Sequence, residues 1–129
     1  MRVNFFDNPN HAPKPREEVR LKQLGIHVYS DKRRVAVGFD ITPFLEGPSI
    51  EVTIQNDVDQ QAATLNVIET NESNFSLTMH LRDSQPTDLY HVQVVLYYAK
   101  PGTDKLIVDN QTATFDVTQP GDQLIYQTG

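Results

Sequence analysis

Apolar and polar residues alternate along most of this chain with a period of two, the spacing of strands that bury one face. Val35, Val37, Phe39 and Ile41 form one run, which Thr42-Pro43 ends. Ile50, Val52 and Ile54 form the next, after Gly47-Pro48, and Leu65 and Val67 continue the pattern. Phe75, Leu77, Met79 and Leu81 follow, then Tyr90, Val92, Val94, Leu96 and Tyr98, and finally Ala113, Phe115 and Val117. Turn-forming clusters lie between these runs: Tyr29-Ser30-Asp31-Lys32, Asn56-Asp57-Val58-Asp59, Asn71-Glu72-Ser73-Asn74, Asp83-Ser84-Gln85-Pro86 and Pro101-Gly102-Thr103-Asp104.

Residues 17–29 change phase midway. Val19 and Leu21 occupy odd positions, whereas Leu24, Ile26 and Val28 occupy even ones. A slip of one residue turns a strand's buried face outward, so keeping both halves in the core requires a bulge near Lys22-Gln23. Gly25 beside it permits the bend. Residues 16–24 have some helical character, but the β-rich continuation from Ile26 favours a strand.

The pattern predicts about seven strands and no convincing helix. A sheet with one wet face must pack its dry face on something, and without helices the partner is a second sheet. The expected fold is an all-β, antiparallel two-sheet β-sandwich over residues 16–118. Residues 1–15, with three prolines, read as an extended arm, and residues 119–129 as a C-terminal tail.

The stretch PTDLYHVQVVLYY, residues 86–98, preceded by Leu81, resembles the fibronectin type III pattern of leucine, proline-threonine, tyrosine and alternating valines. TATFDV at residues 112–117 resembles a last strand of immunoglobulin-like domains. The resemblance implies an immunoglobulin-like sandwich. It also implies a tyrosine corner, with the Tyr90 hydroxyl turned back to the backbone between Asp83 and Pro86. Phe39 stands in for the core tryptophan of such domains, since the chain has none.

Composition narrows the functional classes. A chain of 129 residues suits one domain. With no cysteine, disulfides and thiolate metal sites are excluded. The net charge of −6 argues against a nucleic-acid partner, because such binding rests on neutralising phosphates. Most cations fall within residues 14–34, the pattern of a solvated strand pair and its turn. No stretch approaches the roughly 20 apolar residues of a membrane span, and the first residues lack a signal-peptide core. No membrane association and a cytoplasmic location are the corresponding expectations, with a mature secreted domain as the alternative.

Catalytic motifs are missing: there is no GxSxG, no GxGxxG and no closely spaced histidine pair. His80 and His91 are expected on opposite outer faces, where they cannot share a metal. Asn56-Asp57-Val58-Asp59 has oxygen ligands for a hard cation, but these are also the residues that a tight turn prefers, and the turn is the favoured reading. No catalytic residue, metal ligand or cofactor is assigned. Asn71, Asn74 and Asn110 stand in glycosylation sequons, which matter only in a secretory protein.

Two surfaces remain. His91, Gln93, Val95 and Tyr97 should face outward on one strand, with Leu106 and Ile107 nearby as an apolar patch for a protein partner or a second copy. Phe5 and Phe6 of the arm, or Leu124, Ile125 and Tyr126 of the tail, could cover that patch instead. His80 and Arg82, with Arg33 and Arg34, could form a small anion-binding spot. The expected role is a non-catalytic binding or structural module acting through protein–protein interaction or self-association. A small-ligand or carbohydrate module, using Tyr29, Tyr97 and Tyr126 as platforms, is the alternative. A hydrolase with an unfamiliar site is the third.

Overall fold

The computed structural model describes residues 12–128, and the reading of Phe5 and Phe6 lies outside them. A single 3-10 turn, Arg16–Glu18, precedes eight strands: β1 Leu21–Val28, β2 Arg34–Ile41, β3 Ser49–Asn56, β4 Gln61–Val67, β5 Asn74–His80, β6 Leu89–Tyr98, β7 Leu106–Asp116 and β8 Gly121–Gln127. They form two four-stranded sheets, ordered β5-β2-β1-β8 and β4-β3-β6-β7, and every neighbouring pair is antiparallel. The sheets pack face to face, so the molecule is a two-sheet β-sandwich.

The phase change in β1 is resolved as its parity requires. Leu21 pairs with Ile41 and Gln23 with Asp40, so Lys22 is the extra residue of a bulge. Leu21, Leu24, Ile26 and Val28 are all buried as a result. They meet Val35, Val37, Phe39 and Ile41 from β2, and across the interface Ile50, Val52, Ile54, Val92, Val94 and Leu96. Tyr90 stacks on Phe115 with ring centres 5.7 Å apart, and Phe39 lies 5.2 Å from Phe75. These aromatic pairs fill the ends of the core with large apolar area.

Two parts of the expected outline change. Residues 121–127, read as a tail, form β8 and pair with β1, where Leu24 lies opposite Tyr126. Ile125 and Tyr126 pack against the core, and a second irregularity between Leu24 and Gly25 lets them do so. Leu106 to Val108, read as a connection, open the eleven-residue strand β7. Its alternation is broken by a bulge: Leu96 pairs with Asp109 but Tyr97 with Ile107, so Val108 is an extra residue.

A buried polar knot closes one end of the sandwich. Asp83, in the β5–β6 connection, accepts from Tyr90 Oη at 2.9 Å and from Asn56 Nδ2 at 2.9 Å. Arg33 reaches its Oδ1 at 3.3 Å and its backbone oxygen at 3.1 Å. Tyr90 thus turns back to residue 83, but to its side chain rather than to backbone. An ionised carboxylate is the stronger acceptor. The Asn56 oxygen accepts from the Val58 and Gln60 amides, organising the β3–β4 turn, so that oxygen serves its own loop.

Candidate functional site

The two edge strands β4 and β5 face each other across one open side of the sandwich. Strand β4 reads QAATLNV, without a charge, proline or glycine. Its inward residues Ala63, Leu65 and Val67 pair with Ile54, Val52 and Ile50 of β3. Strand β5 contributes Phe75, Leu77 and Met79 from the other sheet. These six side chains have the composition of a core, yet only Met79 is fully buried. Between Ala63–Val67 and Phe75–Met79 no backbone–backbone hydrogen bond crosses the seam among the described residues.

The seam is held at its ends. At one end the Arg82 amide donates to the Ala62 carbonyl at 2.8 Å, and Gln60 bonds Ser84 and the Gln85 amide. At the other, the chain itself crosses between the sheets in the connection 68–73. Two adjoining clefts, of about 420 and about 590 Å³, lie between these ends and share Leu65. His80 and Arg82 stand on the rim at the first end. Glu69 and Ile68, the latter 63% exposed, stand at the second.

The opposite side of the sandwich, along β7, is bonded near both of its ends. Gln123 donates to the Asp116 carbonyl at 2.9 Å and accepts from the Asp116 amide at 3.3 Å. Asp109 accepts from the Leu21 amide at 2.8 Å. What sets the β4–β5 side apart is the pair of clefts along it.

The expected anion spot is not assembled. Arg34 gives its Nε to Asp31 at 2.7 Å and lies over the Tyr29 ring, and Arg33 is engaged by Asp83. His80 pairs with Arg34 across the sheet, but only His80 and Arg82 are left to face the groove. Asp31, in the turn just before it, captures Arg34, whereas Arg33 is held by the buried Asp83 from the β5–β6 connection.

The apolar patch on β6 and β7 is also different from expectation. Val95 is 7% and Tyr97 6% exposed, so neither offers an open surface. Lys105 Nζ sits 4.1 Å above the Tyr97 ring and 3.6 Å from Glu51, and the Tyr97 hydroxyl donates to Asn66 at 3.0 Å. His91 bonds Asp57 at 3.0 Å and Gln93 donates to Asn110 at 3.0 Å. Leu106 and Ile107 alone of the six are open and apolar. Long polar side chains lying along the sheet turn an apolar row into a polar lattice.

His80 and His91 fall in different sheets, as expected. Among the described residues no three histidines or acids are grouped to hold a metal, and no helix is long and apolar enough to cross a membrane. No protein-family model and no curated protein matches the chain. The groove was missed in the sequence because Leu65, Val67, Phe75 and Leu77 read as ordinary core positions. The available signals were the uncharged β4 and Ile68 directly after Val67, which breaks the alternation.

Proposed function

We propose that this protein is a non-catalytic, immunoglobulin-like module that binds a protein partner along the open seam between β4 and β5. The fold-level part of the reading is supported by strand order. Taking β1 to β7 as A, B, C, C′, E, F and G, one sheet holds A, B and E and the other C, C′, F and G. Tyr90, near the start of the sixth strand, points back upstream as a tyrosine corner does. Strand β8 is an addition to that plan, laid on the free edge of β1.

The observation that carries the binding reading is the half-open row of Leu65, Val67, Phe75 and Leu77 between two edge strands. Natural edge strands are usually blunted by lysine, proline or a bulge, and from Ala63 to Val67 β4 has none of these. An edge of this kind accepts an extended segment through main-chain hydrogen bonds.

A photo-crosslinking amino acid at Thr64, exposed at the middle of β4, tests the reading in cells that make the protein. Protein adducts from Thr64, and not from the same label at Gln119 in the β7–β8 turn, are expected. Equal labelling from both positions, or none from Thr64, rules the seam out as the binding surface.

A further inference from the structure

The groove has a polarity, and that polarity specifies its occupant. One end carries Arg82 and His80; the other carries Glu69. Neither Arg82 nor Glu69 has an ion-pair partner for its side chain among the described residues. The floor between them is apolar, with Leu65, Val67, Leu77 and Phe75. We propose that the seam binds an extended peptide segment that adds antiparallel to β4, with alternate apolar residues turned onto this floor, an acidic group at its C-terminal end beside Arg82, and a basic group at its N-terminal end beside Glu69. The proposal rests on the reading of the seam as a protein-binding surface.

The direction follows from the strand. β4 runs from Gln61 to Val67, and the Arg82 amide is bonded to Ala62 at its start. An antiparallel guest therefore ends beside Arg82, where an acidic side chain or the terminal carboxylate meets a cation. Period-two spacing puts every second guest side chain over the groove and the others in water. Opposite charges at the two ends discriminate between the two orientations of an otherwise symmetrical apolar strand, because a reversed guest sets like charges together.

The test is selection of short random peptides displayed on phage, panned on the immobilised full chain and on its Arg82→Glu/Glu69→Lys variant. Both sites are exposed, so the variant keeps the fold, which circular dichroism checks. Peptides with alternating apolar residues, a C-terminal acid and an N-terminal base are expected from the parent. They should bind the variant about tenfold more weakly, and the variant should select the reverse order of charges. Amide shifts on titrating a selected peptide should centre on β4. Peptides that map to β4 with the opposite charge order, or with none, overturn the proposal and leave the seam reading standing, as does a dimer held through β4. Peptides that map elsewhere, or no enrichment, overturn both.

Discussion

The Tyr90 hydroxyl donates to Asp83 Oδ2 at 2.9 Å, and both residues are buried. The bond ties the first inward residue of β6 to the connection that precedes it. Burial raises the Tyr90 pKa, and the hydrogen bond to Asp83 adds to the rise, so the phenol stays a donor. At the other end of β6, Tyr98 donates to the Glu46 carbonyl at 2.8 Å. One strand is thus hydrogen-bonded by a tyrosine at both ends, once to a carboxylate and once to a neutral backbone oxygen.

These two acceptors separate the cost of removing each hydroxyl. Tyr90→Phe should cost about 1.5–3 kcal/mol, because its partner is charged and buried. Tyr98→Phe should cost about 0.5–1.5 kcal/mol. Denaturant unfolding gives both, with the slope unchanged in each. A larger loss for Tyr98→Phe would contradict the assignment of the stronger bond to Asp83.

Asp83 gives the fold an acid limit. Burial pushes its carboxyl up, but hydrogen bonds from Asn56 and Tyr90 and the Arg33 charge outweigh that and leave it below the ordinary carboxylate range. A depressed carboxylate contributes stability that is complete above its unfolded pKa and lost as pH falls through the folded one. Stability should therefore drop below about pH 4, the unfolded carboxylate range. Asp83→Asn should be less stable than the parent at neutral pH, with the gap narrowing in acid. A gap that is constant with pH would mean that Asp83 is not titrating in this range.

Val94 and Val95 test the covered face of β6. Val94 faces the core at 1% exposure and Val95 the outer side at 7%. Val94→Asp buries a charge in the core and should abolish folding or cost several kcal/mol. Val95→Asp should also be costly, well beyond the roughly 0.5 kcal/mol of a surface change. Thermal melts of the two variants decide it; a neutral Val95→Asp would show that position to be open.

Gly47 is needed for space and Gly102 for backbone conformation. A Cβ on Gly47 would sit 2.1 Å from the Thr70 carbonyl oxygen, which is backbone and cannot swing away. Gly102 has φ +79° with open space around it. Gly102→Ala should cost about 1 kcal/mol, the strain of a left-handed turn residue. Gly47→Ala should cost more, since the 42–48 connection or the Glu69–Thr70 segment must move. Chemical denaturation of the pair checks the order.

Tyr126 distinguishes a strand from a tail. It packs against the core opposite Leu24, so Tyr126→Ala should cost about 1–3 kcal/mol, less than a fully buried aromatic. An unattached tail would give a change near zero in the same unfolding measurement.

The two-sheet sandwich was legible in the sequence because burial on one face imposes a period of two, and six runs from Val35 to Val117 show it. The bulge at Lys22 was legible for the same reason: Leu21 and Leu24 cannot both point inward without it. The inward side of β6, from Tyr90 to Tyr98, followed from parity alone. Strand β8 did not, since Leu124 and Ile125 are adjacent apolar residues, and only the free edge of β1 gives them a ladder to join. Nor did the fate of Val95 and Tyr97. Parity sends them outward, but whether an outward residue meets water depends on side chains such as Lys105 and Asn66 from other strands. The open seam is the clearest case. The residues Leu65, Val67, Phe75 and Leu77 have core identity whichever strands they lie beside. Only the order β4-β3-β6-β7 over β5-β2-β1-β8 places two edges together and leaves their apolar row half exposed. Local pattern determined which face of each strand is apolar; strand order, which is a property of contacts distant in sequence, decided which of those faces is covered.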